Sequence, residues 1–72
     1  MFLTNAEIGK EYTVSGMWLD KKLARRLETL GMTRGCKLLV MHKKASGTMV
    51  VKVRGTRFAL GGGITQGITL LG

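Results

Sequence analysis

Leu23, Leu27 and Leu30 recur at helical spacing, and Gly31 follows them at once. The remaining apolar stretches are short and read as strands, so the chain is restricted to one substantial helix among extended pieces. Lys22, Arg25, Arg26 and Thr29 fall on the side opposite the leucines, facing water. Asp20 stands where a side-chain oxygen can cap the first turn. Gly31 stands where a left-handed residue ends a helix, a conformation glycine takes without a Cβ penalty. Met32 is expected to fold back towards the leucines, and Gly35 to allow a second turn before the apolar run that opens at Cys36. Fully burying three leucines contributes about 5–8 kcal/mol, comparable with the net stability of so small a domain, about 5 kcal/mol. The helix is therefore expected to be the lid that closes the core.

The rest of the chain reads as short extended segments between turns. Thr4-Asn5-Ala6-Glu7 fits a capping box over one helical turn, with Leu3 and Ile8 as its apolar contacts. Residues 11–17 alternate as a first strand, with Tyr12 and Val14 on one face and a bend expected at Gly16. Trp18 suits either one end of the core or an exposed anchor. Residues 36–41 are nearly all apolar, which predicts a strand buried on both faces, and 42–47 is a polar hairpin connection. Residues 48–54 place Met49, Val51 and Val53 inward. A tight turn at Arg54-Gly55-Thr56 leads to a strand over 57–60, with Phe58 and Leu60 inward. Gly61-Gly62-Gly63 breaks the pattern, 64–67 form a single turn, and 68–70 make the last strand. Sheets this short cannot leave two open edges and a one-sided core, so they curl into a small barrel. The expected fold is mainly β: one domain over 1–72, a small SH3-like barrel of about five short strands with a helix inserted after the first.

Twelve Lys and Arg against four Asp and Glu leave the 72-residue chain at +8. Such a balance favours an anionic partner, whether nucleic acid, the inner surface of a membrane or an acidic protein face, and it also keeps a small protein soluble. The cations fall into three groups: Lys21, Lys22, Arg25 and Arg26 on the helix, Lys43 and Lys44 on a hairpin, and Lys52, Arg54 and Arg57 outside the barrel. A nucleic-acid platform needs stacking aromatics, and Tyr12 and Phe58 read as buried, which leaves phosphate contact alone. Enzyme chemistry finds little support. The four acids read mostly as cap or solvent-facing residues, and Cys36 and His42 lie too far apart on one strand to act together. One Cys and one His give no metal-ligand cluster, and no cofactor is expected. No Lys-Ser or Lys-Thr follows the glycine triplet, so it is not a P-loop. The start of the chain lacks a signal-peptide pattern, no apolar run spans a bilayer, and the lone cysteine suits a reducing compartment. A cytoplasmic location is expected.

Three pieces stand in a telling order: Ile8-Gly9 with Tyr12 and Val14; Leu23, Leu27, Leu30-Gly31-Met32 and Gly35; then Val51, Val53-Arg54-Gly55 and Phe58-Ala59-Leu60. Together they resemble the FeoA family across nearly the whole chain. The resemblance implies a small cytosolic SH3-like protein that supports bacterial ferrous iron uptake as a non-enzymatic accessory. Its implied partner is FeoB, the membrane transporter with a cytosolic GTP-binding domain. This sequence departs from the family in carrying Gly61-Gly62-Gly63 where a charged helical turn is common, and in lacking prolines between His42 and Thr48. The candidate partner contacts are Arg25, Arg26, Met32, Arg34, Lys43 and Lys44, chosen for exposure and charge, with Met32 as an adaptable apolar tip. The alternative is a small basic nucleic-acid-binding SH3-like barrel. A third reading is self-association through open barrel edges.

Overall fold

Five strands form: β1 (Glu11–Met17), β2 (Lys37–Lys43), β3 (Met49–Val53), β4 (Thr56–Leu60) and β5 (Ile68–Leu71). They make one antiparallel sheet in the order β4-β3-β2-β1-β5. Helix α1 (Lys21–Thr29) joins β1 to β2, and a short helix α2 (Gly62–Thr65) joins β4 to β5. The computed structural model describes residues 1–71; Gly72, the last residue of the expected 1–72 domain, lies outside the described residues. Alternate residues of every strand meet in one core: Val14, Leu38, Val40, Met49, Val51, Val53, Leu60, Ile68 and Leu70, joined by Leu3, Ala6, Leu27, Met32 and Cys36. Register shifts at Val14/Gly16 in β1 and Val40/His42 in β2 bend those strands, which helps the sheet wrap its inward residues around that core.

The free edge of β5 is occupied by the chain's own start. Met1 donates its amino N–H to the Leu70 carbonyl and accepts from the Leu70 N–H, while Phe2 bridges Thr69. The start itself differs from the expected capping box. Leu3–Asn5 is a single 3-10 turn with no side-chain cap, and the Glu7 N–H donates instead to the Tyr12 hydroxyl at 3.0 Å. Leu3 and Ala6 are buried in place of Ile8, which is exposed. The glycine triplet also departs from expectation, because Gly62 and Gly63 begin α2. Thr65 is fully buried, with its hydroxyl placed to donate to the Gly62 and Gly47 carbonyls, tying α2 to the β2–β3 hairpin.

The end of α1 forms as its residues require. Gly31 takes φ +102, its N–H bonds to the Glu28 carbonyl, and the Met32 N–H bonds to the Leu27 carbonyl, each at 3.0 Å. This is a Schellman cap, and its apolar contact joins Leu27 to Met32, both buried. The start of α1 is different: Asp20 holds the N-cap position but makes no side-chain cap bond. The lid is also narrower than expected. Only Leu27 is fully buried; Leu23 is half-buried and Leu30 is 54% exposed. Helical rotation puts Leu30 about 60° from Leu27, and the helix buries Leu27 with half-buried Leu23 and Ala24 on either side of it. Helix burial then contributes about 2 kcal/mol from one leucine, and fully buried Met32 supplies much of the remaining closure.

Residues after β1 are positioned by a close backbone approach. Trp18 donates its N–H to the Gly67 carbonyl at 2.6 Å. A Cβ on Gly67 would sit 2.8 Å from the Trp18 carbonyl oxygen and run into the Leu19 side chain. Glycine at 67 therefore lets β5 and the β1–α1 connection come together.

This packing separates the helix leucines. Leu27→Ala is expected to destabilise the protein by about 2–5 kcal/mol through cavity formation, whereas Leu30→Ala is expected to stay within about 0.5 kcal/mol of wild type. Paired thermal melts check both, and equal shifts would contradict the observed rotation of α1.

Candidate functional site

The candidate contact residues lie along open depressions of the surface, apart from Met32. On α1, Arg25 and Arg26 are exposed and line a shallow depression with Asp20, Lys22, Leu23 and Thr29. The opposite flank of α1 faces β1 across a groove lined by Ser15, Gly16, Met17, Trp18, Ala24, Glu28 and Arg34. There the Arg34 Nε donates to the Ser15 carbonyl at 3.1 Å, which fixes one end of the groove. Trp18 is 75% exposed at its rim, so of its two sequence readings the structure gives the surface one. Lys43 and Lys44 lie elsewhere, with Thr4, Gly47 and Met49; the Lys43 Nζ donates to the Thr4 carbonyl at 3.3 Å.

The candidate contacts therefore occupy separate places. α1 links Arg25 and Arg26 on one flank to the Arg34 groove on the other, but the Lys43–Lys44 end shares neither depression. Met32 is corrected outright. It is fully buried beneath the Schellman cap and offers no tip to a partner. Cys36 is buried as a free thiol, as its reading as a small hydrophobe requires.

A fourth surface comes from sheet register. β2 is not buried on both faces as expected: Leu38 and Val40 point into the core, while Leu39 and Met41 are half-buried on the outer face. Glu11, Leu39, Lys52 and Arg57 form one outward row across β1, β2, β3 and β4, with Lys52 directly opposite Arg57. Lys37 and Arg54 join Leu39 and Lys52 around an open depression. The β3–β4 hairpin closes with Arg54 at φ +51 and Gly55 at φ +82. Two-residue hairpin loops require positive φ there and favour Asn-Gly. The Arg54 Cδ also lies 3.8 Å from where a Cβ on Gly31 would stand, so this arginine reaches back to the end of α1.

Among the described residues the one ion pair is Lys10 with Glu7, at 3.0 Å. Its hydrogen bond and the carboxylate charge hold the Lys10 ammonium above its ordinary pKa. Among the described residues no three His, Cys, Asp or Glu side chains gather as a metal would require. Nor is any helix among the described residues long and apolar enough to cross a membrane.

A family model for the FeoA domain matches residues 1–70. The chain belongs to the FeoA family. Among solved structures, the FeoA protein from Chlorobium tepidum is 28% identical, with a TM-score of 0.90 over 97% of this chain and 68% of that one. Stenotrophomonas maltophilia FeoA, solved with zinc and described as a prokaryotic SH3-domain protein and candidate activating factor of ferrous iron transport, is 27% identical. It aligns with a TM-score of 0.81 over 97% of this chain and 88% of that one. A manganese-dependent transcriptional repressor shares the fold at 20% identity and a TM-score of 0.89, with 99% of this chain covering 40% of the repressor. No curated protein matches the chain. The expected family and the SH3-like barrel with its helix after the first strand thus both hold for this FeoA protein.

The outward row of the sheet was legible in part. Lys52 and Arg57 were expected outside the barrel, and counting outward from a two-residue Arg54-Gly55 loop pairs them. Leu39 was not separable from its buried neighbours in an apolar run. Arg54 occupies backbone that costs a non-glycine residue about 1 kcal/mol, and Asn tolerates it better. Arg54→Asn is therefore expected to raise stability by about 0.5–1 kcal/mol. Chemical denaturation measures this, and a loss of stability would show that the Arg54 contact with the end of α1 outweighs the backbone cost.

Proposed function

We propose that this FeoA protein is a non-catalytic, cytoplasmic accessory of bacterial ferrous iron uptake that acts by binding the cytosolic part of FeoB. Support comes first from the FeoA-domain match over residues 1–70. The molecule also places its polar chemistry on open surfaces, as suits a protein whose work is contact. The proposed contact region is α1 with its two flanks. Arg25 and Arg26 present charge on one side, and Trp18, Met17 and Arg34 form an amphipathic groove on the other. An exposed tryptophan beside a fixed arginine has the composition of an interface anchor. Lys43 and Lys44 are proposed as a separate peripheral contact, adding electrostatic attraction more than specific fit.

The decisive experiment titrates purified FeoB cytosolic domain with this protein and with an Arg25→Glu/Arg26→Glu variant, by calorimetry. Wild type is expected to bind, and the variant to bind at least about tenfold more weakly at an unchanged melting temperature. Unchanged affinity in the folded variant would remove this face of α1 from the interface. Affinity capture from host lysate with solubilised membranes, with and without nuclease, separates the readings. Enrichment of FeoB that survives nuclease supports the transport role, whereas capture lost with nuclease would favour the basic nucleic-acid-binding barrel.

A further inference from the structure

We propose that the outer face of β2, β3 and β4 is a docking surface for an anionic lipid bilayer. It is distinct from the α1 region assigned above to a protein partner. Lys37, Lys52, Arg54 and Arg57 are all exposed on or at the edge of this face, and Glu11 is the carboxylate that ends their row. Two features set them apart from charge carried for solubility. Lys52 stands directly opposite Arg57 across the β3–β4 ladder, an arrangement of like charges that destabilises a sheet. Arg54 holds a left-handed backbone position at φ +51, which favours glycine or asparagine. Both choices work against the free fold, and an anionic layer lying across the face relieves the first by placing negative charge over the opposed pair.

The composition between the cations selects a bilayer over other polyanions. Leu39 and Met41 on β2 and Val50 on β3 are half-buried on this outer side, where a solvated antiparallel sheet ordinarily carries polar residues. Aliphatic side chains set among lysines and arginines match the boundary between headgroups and acyl chains. Among the described residues this face presents no aromatic ring: Tyr12 and Phe58 pack against the core, Trp18 lies by α1 and Phe2 bridges Thr69 at the edge of β5. Base stacking, the usual basis of single-strand nucleic-acid binding, is therefore missing. An open sheet face without enclosing walls also suits a planar partner.

Cosedimentation with vesicles tests this. The wild-type protein is expected to partition onto phosphatidylcholine vesicles containing phosphatidylglycerol and not onto phosphatidylcholine alone. Lys52→Thr/Arg57→Thr is expected to lower that partitioning about twenty-five-fold, about fivefold per cation, while melting no lower than wild type. An Arg25→Ser/Arg26→Ser variant removes the same charge from α1 and is expected to lose clearly less. Equal losses from the two variants would mean that net charge alone drives binding and would overturn the assignment. So would equal binding to both vesicle types, or tighter binding to a mixed-sequence DNA duplex at matched phosphate concentration. If the sheet variant loses vesicles and keeps FeoB, the two surfaces are separate; vesicle binding in a protein that fails to bind FeoB leaves the lipid proposal standing by itself.

Discussion

Alternate residues of five short strands share one apolar core, and the rest of the structure depends on that shared burial. A chain of this size buries only about 60% of its unfolded surface, so no strand can be spared from it. Val14, Leu38, Val51, Leu60 and Ile68 each come from a different strand and touch the same interior. Packing them together requires bent strands, and the register shifts in β1 and β2 supply bends. Covering β5 with Met1 and Phe2 then removes one exposed edge of the sheet.

Because the core takes one side of every strand, function is left to the outside. The two flanks of α1 and the outer face of β2–β4 differ in kind. The helix is held by Leu27 and by the cap that brings Met32 beneath it, so most of its surface stays available for contact. The sheet face is defined by register, which fixes the spacing of its cations regardless of what the loops do. A barrel of this type can thus offer two unlike surfaces while using nearly all its apolar side chains for stability.

Where local preference and the observed choice conflict, the conflict is informative. Arg54 stands at a left-handed hairpin position and Lys52 faces Arg57, yet neither improves the isolated fold. At Gly31, by contrast, the local signal agrees with the structure, and its positive φ completes the helix cap. Two such conflicts lying together on one face is a pattern that suits a surface kept for contact.

The order of the main elements, the inward positions of β3 and the helix stop at Gly31 were legible in the residues, because they rest on local rules: alternation, helical period and glycine's freedom at positive φ; the family was legible only as a resemblance, in the order of its motifs. Those rules act between near neighbours, so they survive without knowledge of the fold. Which leucine of α1 is buried was not local. Leu23, Leu27 and Leu30 are equivalent by spacing, and only the packing of the helix on the barrel buries Leu27 and leaves Leu30 exposed. The same holds for Met32, whose flexible side chain suited either a contact or the core until the cap turned it inward. Trp18 was undecided for a similar reason, since the close pairing of its backbone with Gly67 connects residues far apart in the chain. Local residue order thus set the strands, the main helix and most of their turns, whereas packing chose which faces are covered, because burial depends on what packs against a residue and not on the residue alone.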